Sequence, residues 1–88
     1  MAMPAADQPH HQPLVQISVN KKPVNVAGPR VTGLQIKEAA IAQGVAIQPS
    51  FQLSEELGNR QRRIVGDNDV VTVHKGSKFF AVAGDDNS

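Results

Sequence analysis

Two alternating segments run straight into a capped helix, and that order leaves few folds open to so short a chain. Val15, Ile17 and Val19 alternate with Gln16, Ser18 and Asn20, so one face of a first strand is apolar and the other polar. Asn20-Lys21-Lys22-Pro23 supplies a turn, and Val24 and Val26 resume the alternation until Gly28-Pro29 ends it. The pair reads as a β-hairpin. Thr32-Gly33-Leu34-Gln35 then fits a capping box, with Val31 and Ile36 placed as a hydrophobic staple across the helix start. The spacing predicts a helix over Gly33 to Gln43. Ile36 and Ala40 lie a turn apart, Leu34 and Ile41 form a second apolar pair, and Gly44 stands where a left-handed cap is needed.

The second half carries more strand patterns. Ile47, Phe51 and Leu53 lead into a third strand past Gln48-Pro49-Ser50, and Leu57 closes it before the polar loop Gly58 to Gln61. Arg63-Ile64-Val65 reads as a short fourth strand, and Gly66-Asp67-Asn68-Asp69 as a turn. Val71 and Val73 alternate with Thr72 and His74, the clearest strand pattern of this half. After Lys75-Gly76-Ser77, the segment Phe79 to Ala83 reads as a final strand or an extended exit. Residues 1–13 hold Pro4, Pro9 and Pro13 and almost no large apolar side chains, so they read as a disordered leader. The expected organisation is a leader over 1–13, one domain over 14–83 and a mobile tail over 84–88.

Composition excludes several classes of function. An 88-residue chain supports one small core and a stability of roughly 5 kcal/mol, with no room for a large catalytic cleft. There is no cysteine, which removes disulfides, thiolate metal sites and cysteine nucleophiles, and is compatible with a reducing cytoplasm. A net charge of +1 exerts no general pull on nucleic acid or anionic lipid, and no apolar run suits a bilayer or a signal peptide. No nucleophile, base and orienting group assemble into an enzyme site. His10-His11 lacks a fixed third ligand, and His74 has no acid partner beside it. Asp67-Asn68-Asp69 lacks the glycine and distal glutamate of a calcium loop. Neither a metal nor an organic cofactor is expected.

The hairpin, the helix start Thr32 to Lys37, Phe51-Gln52-Leu53, Asp67 to Val73 and Phe79-Phe80-Ala81-Val82 together resemble bacterial ubiquitin-like proteins of the multiubiquitin domain family. The resemblance covers nearly everything after Pro13. It implies an α+β fold of the β-grasp type, a mixed sheet of four to five strands packed on one helix. It also implies a protein modifier, with partners resembling ubiquitin-activating and ubiquitin-conjugating enzymes and a deubiquitinase-like peptidase. Some such systems resemble antiphage defence modules. Members often carry tandem domains, whereas this chain shows one and no internal repeat.

In such a modifier the C-terminal carboxylate is adenylated and passed to a nucleophile, so the fold needs only a reachable tail. Ala81 to Gly84 are small enough to thread a narrow channel, but Asp85-Asp86-Asn87-Ser88 follows in place of a terminal Gly-Gly. That disfavours a sulfur carrier. The two carboxylates repel ATP phosphates unless the enzyme offsets them, so either the tail is trimmed or the enzyme accommodates it. Trimming to Asn87 and cleavage after Gly84 are both open. Arg60, Arg62 and Arg63 form a candidate docking patch, with alternation placing Arg60 and Arg62 on one face. Lacking interleaved aromatics, the patch does not suit nucleic acid, and exchange of all three for Glu is expected to spare the fold. Phe79 and Phe80 cannot enter the same side of a strand, so one is expected in the core and the other exposed, as a contact for a partner or a second copy. The competing reading is a non-conjugated interaction module that binds through its sheet face or an edge strand.

Overall fold

The computed structural model describes residues 13–84. The expected leader, apart from Pro13, and the tail residues Asp85, Asp86, Asn87 and Ser88 lie outside the described residues. The hairpin forms as its alternation requires, β1 over Leu14–Val19 and β2 over Lys22–Ala27, paired antiparallel with Val19 opposite Lys22. The reversal takes two residues, not the four expected. Asn20 (φ 53°) and Lys21 (φ 70°) both adopt the left-handed conformation, whose twist suits a tight hairpin, and Lys22 and Pro23 already belong to β2. Proline is tolerated there because β2 is an edge strand.

A short strand β3, Arg30–Thr32, precedes the helix α1, Gly33–Ala42. The capping box is complete: Gln35 N–H donates to Thr32 Oγ1 at 3.1 Å, and Thr32 N–H donates to Gln35 Oε1 at 2.8 Å. Val31 and Ile36 are both buried, as the staple requires. Ile36 and Ala40 face the core, Leu34 is half-buried, and Ile41 is exposed, so the apolar face is narrower than the pattern suggested. Gln43 caps the helix, and Gly44 follows at φ 99°. The Gln43 amide also donates to Asn25 O and accepts from Asn25 N–H, tying the end of α1 to β2.

The chain continues through β4 (Gln52–Glu56), a 3-10 turn at Gly58–Arg60, β5 (Arg62–Val65), β6 (Val70–Thr72) and β7 (Lys78–Val82). The main sheet has the order β2-β1-β7-β4-β5, with β1 and β7 parallel and every other neighbouring pair antiparallel. This is the β-grasp arrangement: a mixed five-stranded sheet with one helix on its apolar face. β3 and β6 pair antiparallel as a separate ribbon. The Val71 pattern therefore belongs to this small ribbon, and Phe79 to Val82, which allowed either a strand or an exit, forms the central strand.

The helix start is docked on the 66–69 turn. Gly33 N–H donates to Asp69 O and Leu34 N–H to Asp67 O, so backbone donors with no partner inside the helix are satisfied by this turn. The approach is close enough that a Cβ on Gly33 would stand 2.3 Å from Gly66 O, which leaves only glycine there.

Lys37 is only 3% exposed. Its ammonium donates to Pro49 O at 2.6 Å and Phe51 O at 2.9 Å, and pairs with Asp67 Oδ1 at 2.7 Å. One charge thus joins the helix, the approach to β4 and the 66–69 turn. Its three donors have three acceptors, which is what allows a lysine to be buried. Two of those are carbonyls, while the Asp67 side chain is half exposed. Lys37→Met keeps the stem but strands both carbonyls, and should cost about 2 kcal/mol in urea denaturation. Asp67→Ala leaves the buried ammonium without its counter-charge and should cost about 3 kcal/mol. A loss below about 1 kcal/mol would show that the two carbonyls alone hold the charge.

Candidate partner face and tail exit

The alternation of β7 divides its two phenylalanines as expected. Phe79 is fully buried against the helix side, and Phe80 is half-buried on the outer face of the sheet. Register sets Phe80 opposite Ser54 of β4, and Ser54 opposite Ile64 of β5. Ile64 is 63% exposed and Val82, on the same face, 55%. Phe80, Ile64 and Val82 thus give the outer face an apolar strip. The Arg62 guanidinium lies over the Phe80 ring, 4.2 Å from its centroid, a cation–π contact that also covers part of the ring.

The arginines do not form one patch. Asn59 and Arg60, both at φ 65°, lie in the left-handed region, so the chain is not extended there and the alternation expected from Arg60 to Arg62 is broken. Arg60 is exposed in the turn. Arg62 belongs to the outer face. Arg63 takes the opposite face, where its guanidinium donates to Glu55 Oε1 at 2.6 Å. Glu55 is buried, with its side chain 10% exposed, so Arg63 neutralises a carboxylate that water scarcely reaches.

The turn acids and His74 also have identifiable roles. Asp67 holds Lys37, and Asp69 Oδ2 accepts from Gly66 N–H at 2.8 Å, closing the turn. His74 is exposed, with its backbone N–H donating to Ser77 Oγ. Among the described residues no group of three metal-ligating side chains comes together, and no helix is long and apolar enough to cross a membrane. His10 and His11 lie outside the described residues.

The last anchored point before the tail depends on a residue that sequence reasoning treated only as a turn. The Asn20 side chain donates to Ala81 O at 3.0 Å and accepts from Ala81 N–H at 2.8 Å. It acts as one more peptide unit of β1, continuing the ladder beside β7 past the end of the strand. Beyond Val82, Ala83 and Gly84 are exposed, and Gly84 is the last described residue.

This geometry, a helix gripped by a mixed sheet whose central strand runs into an exposed C-terminal segment, agrees with the finding that the family model described as Multiubiquitin matches residues 15–85. The chain belongs to the multiubiquitin family. It is thus a ubiquitin-like domain, and the match runs from the second residue of β1 through β7 and takes in the helix. No significant match appears among curated proteins or solved structures.

Two expectations follow. Arg63→Glu should destabilise the domain by about 3 kcal/mol, because it sets a carboxylate against buried Glu55. Arg60→Glu with Arg62→Glu should stay within about 1 kcal/mol of the parent, which chemical denaturation of the variants checks. The sequence expectation that exchange of all three spares the fold is set against the Arg63–Glu55 pair, and the same denaturation decides it. Asn20→Gly keeps the left-handed turn but removes the amide clamp. It should lower stability by about 1–2 kcal/mol and speed hydrogen exchange at the Ala81 amide; unchanged exchange there would show that the clamp does not hold β7.

Proposed function

We propose that this protein is a ubiquitin-like modifier, with the tail from Gly84 onward carrying the reacting carboxylate. The observation that carries the reading is the contrast across two residues of β7 and its exit: Ala81 is buried and held by Asn20, while Ala83 and Gly84 are exposed and small. A fixed base with a free, slender end is what an adenylating enzyme needs to draw a tail into its site. There the carboxylate attacks the α-phosphorus of ATP and displaces pyrophosphate, and a target nucleophile then displaces AMP from the activated acyl group, directly or through enzyme thioesters. None of these steps requires a catalytic group on the modifier. The proposed partners are an activating enzyme, a conjugating enzyme and a deubiquitinase-like peptidase, in a bacterial cytoplasmic pathway of the antiphage-defence kind. Family membership and the tail exit support this reading.

The outer face of the sheet supports a second reading, a β-grasp interaction module that is never conjugated. Phe80, Ile64 and Val82 expose apolar surface beside Arg62, a composition suited to a protein contact. The tail separates the two readings. Removal of Gly84 to Ser88 should leave thermal unfolding unchanged, because Gly84 makes no core contact. In the modifier reading the same deletion abolishes adenylation and conjugation by the cognate enzymes. Intact mass after incubation with the companion peptidase then assigns the mature end: loss of Ser88 alone gives Asn87, and loss of Asp85 to Ser88 gives Gly84. Conjugation by the deleted chain would refute the tail mechanism.

A further inference from the structure

The two edges of the main sheet are treated differently. On β2 the outward backbone groups belong to Pro23, Asn25 and Ala27, since Lys22, Val24 and Val26 face β1. Pro23 has no N–H, and Asn25 has both its groups bonded to the Gln43 amide. At Pro23 and Asn25 that edge offers another strand little to bond. On β5, Arg63 and Val65 face β4, a phase set by the Leu57 N–H donating to Gln61 O just beyond the register pairs. The N–H and C=O of Arg62 and Ile64 therefore point outward, and no strand covers them among the described residues. Beside this edge lies a groove of about 240 Å³ lined by Arg63, Ile64, Val65, Asp69, Val70 and Val71. Val70 is 58% exposed in it.

We propose that β5 is a docking edge for an extended partner segment that alternates acidic and apolar residues and joins the sheet as a sixth strand. The alternation follows from the two faces of the edge. On the outer face an incoming side chain meets Arg62 beside Phe80, where a carboxylate is favoured. On the other face it enters the groove against Val70 and Val71, where the Arg63 charge is already taken up by Glu55 and the Asp69 carboxylate disfavours a second acid, so an apolar side chain fits. The main-chain groups of Arg62 and Ile64 supply the hydrogen bonds, and the flanking side chains supply the choice of sequence. A second copy of this chain is a poor occupant. β5 paired with β5 sets arginine opposite or diagonal to arginine, a like-charge arrangement that opposes the pairing. The proposal concerns partner binding and stands whether or not the tail is conjugated.

The test uses the full chain and a displayed library of short peptides alternating Asp or Glu with Val, Ile, Leu or Phe, against a matched library with Lys in the acidic positions. The acidic library should be enriched. A selected peptide should slow hydrogen exchange at the Ile64 amide and shift backbone resonances along β5. Ile64→Pro removes an outward N–H and an exposed side chain, so it should fold and bind about tenfold more weakly, the loss expected for one or two main-chain hydrogen bonds. N-methylation of the peptide on its pairing edge should have the same effect with the protein unaltered, so the test does not depend on the variant folding. Equal enrichment of the Lys library overturns the charge assignment. Binding indifferent to N-methylation, or shifts confined to Phe80 and Val82, overturns the edge. Concentration-dependent self-association that protects the Ile64 amide without peptide would give the edge to a second copy and overturn the proposed occupant.

Discussion

The parallel pairing of β1 with β7 closes this fold, and most of what the molecule presents to others depends on it. Only Ser18 with Lys78 and Val19 with Phe79 make up the register, yet these pairs join the first strand of the domain to the last. So short a ladder needs reinforcement. Ser18 N–H to Ser77 O, Gly76 N–H to Gln16 O and the Asn20 amide on Ala81 extend it at both ends, and Phe79, fully buried, packs directly beneath it. Without this join the sheet divides into the β1-β2 hairpin and a separate β7-β4-β5 sheet. The hydrogen bonds that finish the core also fix where the C-terminal segment leaves it.

The elements most legible in the sequence were those specified locally. The hairpin and the capping box each depend on residues a few positions apart, and both form, the hairpin with a tighter turn than read, because turn chemistry and capping act over that range. What local pattern cannot supply is the partner. Val71 and Val73 give the cleaner alternation because both are buried while Val70, Thr72 and His74 on the other face are exposed. Phe79-Phe80-Ala81-Val82 is nearly continuous in apolar residues because β7 lies between β1 and β4, with its outer face also partly covered. β3 was missed for a related reason. Its three residues sit between Gly28-Pro29 and the helix cap, and their strand character comes from Val70 to Thr72, distant in sequence.

Arg63 departed furthest from its reading and Lys37 drew none, and the reason is physical. A lysine in a helix and an arginine beside a loop ordinarily reach water, and composition holds no sign that they do otherwise. Lys37 is buried because the loop before β4 brings two carbonyls to its ammonium, and Arg63 is engaged because register places it opposite Glu55. Both depend on tertiary pairing. The signal for Arg63 was present in principle: Glu55 is the acid on the apolar face of a strand whose Leu53 is core. A carboxylate in that position needs a cation on the neighbouring strand.

Closure also explains why the two ends of the sheet differ in availability. Gln43, at the end of α1, occupies the outward groups of Asn25 on the β2 edge, so docking the helix on the hairpin covers part of that edge at the same time. β5 lies at the other side, flanked by the turn that docks the helix start and by the groove beside β6. Nothing in the core requires its outward groups to be covered, because Arg62 and Ile64 are exposed and contribute no core packing. The tail exit, the outer face and this edge therefore lie on elements fixed by the core but built from residues the core does not use. Substitutions at Arg60, Arg62, Ile64 and Gly84 can alter recognition while the Lys37 clamp, the capping box and the β1-β7 join keep the fold.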